Sequence, residues 1–316
     1  MSNRFDQLEV DIDALHRKID RQPRPTERQA GPGGGRLRSS ADQFLVRLQQ
    51  KLSLREAWIR NGLERGWFED FSRYWSEQLG GRPLWSVLDF FLLAHDYRKR
   101  QQLEDTLEWR EGAQHIRNWQ RPGQVYSTFQ QVERFAMNPL PFLPFWSTVR
   151  QVGARVLEYG CSAAPFYHAY RRFFRFRGQR WTLLDLPNYP FHYAKWLYRE
   201  DPEVEFVTID PETFENPLGE RGGFDAIVLT TVLEHVDDPV RVVQDLWGRL
   251  ASGGILLFDF VRSEGTGLDH PVARDRREEA LAWLEGQGSV VGASFPDKNE
   301  PVPPTLLTKR SNCGEC

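Results

Sequence analysis

Cysteine is scarce in this chain. Cys161, Cys313 and Cys316 are the only three in 316 residues, too few to staple a chain of this length, so a disulfide framework is excluded and the fold must rest on a buried core. No apolar run approaches the length of a membrane-spanning helix, and the mean hydropathy of -0.57 agrees; no membrane span is expected. The opening MSNRFDQLEVDIDALHRKID has no apolar segment of the kind a secretory signal needs, and its acids exclude an Arg-rich transit peptide. A cytoplasmic location is expected. Charge of one sign is also missing in excess: the net charge of -3 gives no global electrostatic reason to expect a nucleic-acid partner.

What is present is the make-up of a globular protein, 40% hydrophobic and 27% charged, in a chain long enough for one domain of about 200 residues and a smaller unit. In residues 1–20, Phe5, Leu8, Ile12, Leu15 and Ile19 recur at alternating spacings of 3 and 4, a heptad seam that predicts an amphipathic helix. Alone it is marginal, so it is expected to dock on its own domain, on a second copy as a homodimer, or on a partner protein. Residues 21–40 are rich in Pro, Gly, Arg and Ser and read as a flexible linker. Residues 41–148 carry apolar residues at helical spacing and many aromatics, among them Trp58, Trp67, Phe71, Trp75, Trp85, Phe90, Tyr97 and Trp109. They predict a helical cap whose aromatics form its core, some of them lining an apolar pocket for a small substrate.

Residues 149–310 change character, to strands alternating with helices. Strands are expected at Arg155–Tyr159, Arg180–Leu186, VEFVTI, FDAIVLT and GILLFDF, and helices at about Pro165–Arg175, His192–Arg199 and Pro239–Leu250. GSVVGASFPDKNEPVPPTLLTKR is expected to add two short edge strands. This alternation means βαβ units: an α/β fold with a doubly wound, mostly parallel sheet, which binds ligands beyond the carboxyl ends of its strands. There stand Glu158 and Gly160, then Asp185, then Asp210, then Thr230 and Thr231 leading into LEHV. Carboxylates at successive strand ends suit a ligand rich in hydroxyl and amino donors, such as a nucleoside-like cofactor. A nicotinamide dinucleotide fits poorly, because no G-x-G-x-x-G follows the first expected strand and Glu158 would repel a pyrophosphate.

VLEYGCSAAP, TLLDLP, FVTIDPETF, FDAIVLTTVLEHVDDP and GGILLFDF, in this order and spacing, resemble the class I S-adenosylmethionine-dependent methyltransferases, and FDAIVLTTVLEHVDDP is most similar to the branch that methylates small molecules. The resemblance covers about Arg150 to Phe260 and implies S-adenosylmethionine as cofactor and S-adenosylhomocysteine as product. It further implies that Glu158, Gly160, Cys161 and Ser162 shape the loop around the methionine part, that Asp185 holds the ribose hydroxyls with Leu186 near the adenine, and that Asp210 accepts from the adenine amine. Thr230 and Thr231 would pass beneath the sulfonium, with Glu234 and His235 close by. The chain departs from the family's E/D-x-G-x-G-x-G loop: Ser162 and Ala164 replace glycines, whose use is positive φ and close backbone approach.

Methyl transfer is an in-line displacement in which positioning alone contributes up to roughly 7–11 kcal/mol, and it requires no metal. A general base adds about 10²–10⁴-fold where the nucleophile must lose a proton. His270, in the loop after the last parallel strand with Asp269 beside it to orient it, is the leading base candidate, and His235 the second. His168 and His192 read as packing or surface residues, and Tyr126 as a core residue or a cover for the methionine carboxylate. YRRFFRFRGQR reads as a solvated helix face, and CGEC, within the polar tail 311–316, has no second pair to complete a zinc site. The expected function is methylation of a small, partly apolar acceptor, with O-methylation slightly favoured. The alternative is a non-catalytic methyltransferase-like scaffold that recruits partners through its N-terminal helix.

Overall fold

The computed structural model describes residues 66–79, 84, 87–103, 117–137, 143–151, 153–210, 216–261, 268–291 and 294–310. The expected heptad helix, the linker and the terminal CGEC lie outside the described residues. The chain divides into two compact units, one of Val10–Glu104 with Pro122–Met137 and one of Met1–Glu9, Asp105–Arg121 and Asn138–Cys316.

The first unit is helical. It holds α1 (Trp67–Gln78), α2 (Val87–Leu103) and α3 (Val125–Met137), the last entered through a 3₁₀ turn at Pro122–Gln124. Trp67, Phe71, Tyr74 and Trp75 fall on one face of α1 and are buried, as helical spacing requires. Phe71 meets Phe90 edge-on at 4.9 Å and Phe129 at 5.0 Å, and Tyr97 stacks on Phe129 at 5.8 Å. Pairs at these separations are worth about 0.5–1.5 kcal/mol each beyond the area they bury, so the described aromatics serve as the unit's own core.

The second unit is the sheet. Its elements in order are α4 (Leu143–Val149), β1 (Arg155–Tyr159), α5 (Pro165–Ala169), β2 (Arg180–Asp185), α6 (Tyr189–Leu197), β3 (Val204–Thr208), β4 (Phe224–Leu229), α7 (Pro239–Arg249), β5 (Leu250–Phe260), α8 (Pro271–Asp275), α9 (Arg277–Gln287), β6 (Gly288–Val290) and β7 (Val302–Lys309). The strand order is β3-β2-β1-β4-β5-β7-β6, parallel through β5, with β7 antiparallel to both β5 and β6. This is the mostly parallel seven-stranded sheet of the class I methyltransferases. Val156, Trp181, Leu183, Ala226, Val228, Ile255 and Leu257 pack on one face, while Leu157, Leu184, Ile227, Leu229, Leu256 and Phe258 pack on the other. Burial on both faces is why the strands read as continuous apolar runs.

Three expectations need correction. β7 is not an edge strand: it lies between β5 and β6. Its Pro303 and Pro304 are tolerated because β6 pairs only with Leu307–Lys309, and the β5–β7 register shifts where the prolines fall, as it must where N–H donors are missing. The helix after β1 is shorter than its apolar spacing suggests. It ends at Ala169 and passes into a wider turn at Tyr170–Phe174, closed by Arg175 N–H donating to Tyr170 O at 2.8 Å. Helices α8 and α9 have no counterpart among the expected elements.

Candidate functional site

The carboxyl end of β1 leads into a tight loop. Gly160 has φ 64°, and a Cβ there would stand 2.3 Å from a methyl of Val232, a close approach between the β1 and β4 loops that only glycine permits. Ser162 and Ala164 follow with φ of 53° and 57°. Both are left-handed, so the backbone keeps the conformation for which the family pattern uses glycine, against a cost of about 1–2 kcal/mol per residue. Two buried carboxylates hold the loop. Glu158 accepts from Phe166 N–H at 3.2 Å and Tyr167 N–H at 3.0 Å, capping α5. Burial pushes its carboxyl up to about 8, with the two backbone donors working the other way. Cys161 is buried, its N–H bonded to Leu184 O at 3.0 Å, and burial raises its thiol well above the usual range.

Asp185, the last residue of β2, is the second anchor. Its Oδ2 accepts from Ser162 N–H at 2.5 Å, and its Oδ1 from Leu186 N–H at 2.6 Å and Asn188 Nδ2 at 3.0 Å. A carboxylate offers about four acceptor positions; these three donors leave room for one more. Burial raises its carboxyl to about 6 against the three hydrogen bonds and nearby Lys195. Asn188 had not been singled out: its other amide atom caps α6 by accepting from Phe191 N–H at 2.9 Å. The signal was in PNYP, an Asn one residue before the helix with Pro at its second position.

A third group of acids stands at the ends of β4 and β5. Thr231 has φ 55°, and its N–H donates to Asp259 Oδ1 at 2.6 Å. Asp259, near the end of β5, is 6% exposed and went unread because an acid inside LLFDF looks like an interruption of a strand. Beyond Thr231 the chain makes a 3₁₀ turn at Leu233–His235. Glu234 is 6% exposed, and its Oε2 has no hydrogen-bond partner among the described residues. Burial lifts its carboxyl to about 7, with His235 opposing and Asp259 and Asp269 adding to the rise. An unmatched buried acceptor costs roughly 1–3 kcal/mol, which a donor or a cation placed there would recover.

The sheet unit thus brings Glu158, Gly160, Cys161, Ser162, Asp185, Leu186, Thr230, Thr231, Glu234 and His235 to the carboxyl ends of β1, β2 and β4. Asp210 is exposed, just past β3. His270 is engaged differently from expectation: its ring accepts from Val272 N–H at 3.2 Å and caps α8, while burial lowers its basicity. Asp269 turns to His235 instead, at 3.2 Å. His168 is a half-buried packing residue, its Nδ1 2.7 Å from Tyr198 Oη, and desolvation lowers it to about 4. His192 is buried within α6, and Tyr126 lies on α3 of the helical unit.

Residues 101–289, more than half of the chain, match the family model described as Methyltransferase domain. The ubiquinone biosynthesis O-methyltransferase of Xanthomonas campestris pv. campestris is 30% identical over 122 residues, which are 38% of this chain and 48% of that protein. The chain therefore spans about half the length of the curated relatives it matches. Among solved structures, the S-adenosylmethionine-dependent methyltransferase SibL in its apo form is 16% identical with a TM-score of 0.42, over 81% of this chain and 77% of that one. Fibrillarin of Aeropyrum pernix with natively bound S-adenosyl-L-methionine is 12% identical with a TM-score of 0.37, over 57% of this chain and 74% of that one. With the family model matched over that length and the seven-stranded order in place, this chain belongs to the class I S-adenosylmethionine-dependent methyltransferases.

Proposed function

We propose that the chain transfers the methyl group of S-adenosylmethionine to a hydroxyl oxygen of a small, partly apolar acceptor. The observation that supports this most is the backbone of the β1 loop. Ser162 and Ala164 depart from the family pattern in residue type but keep positive φ, so the loop retains its course without the glycines. A degenerate loop under no demand to bind would be free to relax the strain of two left-handed non-glycine residues.

The donor set of the cofactor suits the residues present. Asp185 has acceptor capacity for a ribose hydroxyl, Leu186 N-terminal to α6 offers an apolar contact for the adenine, and exposed Asp210 offers an acceptor for its amine. The loop Gly160–Ser162, braced by Glu158, would enclose the methionine part. Glu234, with its unmatched buried oxygen, and the Thr230–Thr231 turn would lie beside the positive centre. When bound, S-adenosylmethionine supplies a methyl group on a sulfonium. The chain's own residues hold donor and acceptor in line, keep water from the buried carboxylates, and take up the proton released by the acceptor. O-methylation draws support from the Xanthomonas relative, which is named for it.

Isothermal titration with S-adenosylmethionine and S-adenosylhomocysteine tests the reading. Both are expected to bind, and Asp185→Ala is expected to weaken binding by at least about tenfold, as the loss of a charged hydrogen bond implies, with the circular dichroism spectrum retained. Absence of heat at millimolar ligand would sink the enzyme reading in favour of a non-catalytic shell. Unchanged affinity in Asp185→Ala would place the site elsewhere.

A further inference from the structure

The stretch YRRFFRFRGQR, Tyr170 to Arg180, forms the wide turn after α5 and the loop into β2. It is pinned to the segment that leads into β1. Gln179 Nε2 donates to Val149 O and Gln151 O, each at 3.0 Å, and Arg180 N–H donates to Ala154 O at 3.0 Å. Trp146 of α4 stacks on Phe174 at 4.3 Å, and Tyr170 Oη donates to Phe176 O at 2.9 Å. Arg155 and Arg180, which open β1 and β2, are partners in the parallel register. These ties make one rim at the amino ends of the two strands, the end of the sheet opposite the candidate site.

Charge on this rim is unevenly paired. Arg150, Arg175, Arg177 and Arg180 are exposed, and among the described residues their guanidinium groups make no hydrogen bond or ion pair. The acids nearby are engaged: Asp201 and Glu203 pair with Arg171 at 2.9 and 3.9 Å, Asp225 accepts from Arg155 N–H at 2.8 Å, and Glu205 pairs with Arg221. Phe173 is 40% exposed in the middle of the turn. Arg175 holds φ at 26°, a left-handed backbone that glycine would adopt without strain, yet the position carries a cation.

Arginine interleaved with aromatics suits two kinds of polyanion. A nucleic-acid strand needs open ring faces on which bases stack. Here Phe174 has a face covered by Trp146, and Phe176 is half-buried beside Phe174 at 5.6 Å, so Phe173 is the one exposed ring of the stretch. A bilayer interface asks for less: one apolar side chain at headgroup depth, and long cationic side chains that reach the phosphates. We propose that this rim docks on an anionic phospholipid surface, with Phe173 entering the interface and Arg150, Arg175, Arg177 and Arg180 facing the lipid phosphates. The candidate site stands at the other ends of the strands and takes no part in the contact, so the proposal does not rest on the methyltransferase reading.

Co-sedimentation of the full chain with vesicles tests it, one set of phosphatidylcholine alone and one of phosphatidylcholine and phosphatidylglycerol in equal parts. The chain is expected to sediment with the anionic set only and to be released as salt rises. Arg177→Ala and Arg180→Ala should each weaken binding by about fivefold, and the double variant by about 25-fold, as loss of one cation and of two near an anionic surface implies. Arg177→Lys should keep the binding. Phe173→Ala should weaken it without altering its salt dependence, and Arg274→Ala, which removes an exposed arginine of α8, should leave it unchanged. Circular dichroism verifies that each variant is folded. Absence of sedimentation, equal sedimentation with both sets, or full anionic binding by the folded double variant overturns the proposal. Binding to a single-stranded RNA oligonucleotide without binding to vesicles also overturns it, and would assign the rim to nucleic acid.

Discussion

Three small residues in the β1 loop carry different energetic duties. At Ser162 a left-handed backbone is held by a partly buried residue whose N–H feeds Asp185, so Ser162→Gly removes steric strain and is expected to raise stability by about 1 kcal/mol. At Ala164 the same strain is relieved by glycine, but a fully buried methyl is lost, worth on the order of 0.8 kcal/mol; the two effects should nearly cancel. Urea denaturation of both variants checks the contrast, and equal shifts would refute it. Gly160→Ala drives a Cβ into Val232 and is expected to weaken S-adenosylhomocysteine binding by tenfold or more, with Val232→Ala restoring part of the loss by titration calorimetry. The substitutions at 162 and 164 were legible in the sequence. Their φ values were not, because a dihedral angle depends on the two carboxylates that fix the loop from β1 and β2.

Among the elements, the parallel strands were legible for a physical reason: β1, β2, β4 and β5 carry apolar runs buried on both faces, and an acid or a threonine stands at or next to the carboxyl end of each strand. Helix α7 was equally plain, with Asp238 as cap, Pro239 at its start and Val240, Val243, Leu246 and Trp247 buried along one face. Helices α8 and α9 were missed because their stretch is crowded with charge, and only Ala273, Arg277, Ala280, Leu281 and Leu284 are buried there. The ties of that stretch to the residues after β4, His270 N–H to Glu234 O and Arg276 to Asp238, could not be read at all, since they depend on residues brought together from distant parts of the chain. Asp238 serves twice, accepting from Arg241 N–H at 2.9 Å as the cap of α7 and pairing with Arg276. Asp238→Ala should cost about 1 kcal/mol through the cap alone. Arg276→Ala breaks two solvent-exposed ion pairs, to Asp238 and to Glu279, and should cost less than loss of the cap. Thermal or urea unfolding orders the two, and an Arg276→Ala protein less stable than Asp238→Ala would show that the ion pairs of Arg276 outweigh the cap.

At the scale of the whole molecule, one property follows from gathering acids at a single end of the sheet. Burial raises Glu158 from its ordinary 4.5 to about 8, Glu234 from 4.5 to about 7 and Asp185 from 3.8 to about 6. Between those limits the folded protein binds more protons than the unfolded chain, so these groups add stability at low pH and withdraw it as pH rises. The ligand-free protein is therefore expected to lose unfolding free energy from about pH 5 to pH 8. Cofactor binding should run the opposite way: the sulfonium of S-adenosylmethionine favours an ionised Glu234, and a hydroxyl donor favours an ionised Asp185, so affinity rises as protons leave. S-adenosylhomocysteine carries the same hydroxyls without the sulfonium charge. Its affinity should follow Asp185 and level off above about pH 6.5, while that of S-adenosylmethionine keeps climbing through the titration of Glu234. Calorimetry of both ligands between pH 5.5 and 8.5 separates the two carboxylates, and Glu234→Gln should collapse the difference. Parallel profiles for the two ligands in the wild type would show that Glu234 does not face the sulfonium and that its unmatched oxygen has another purpose.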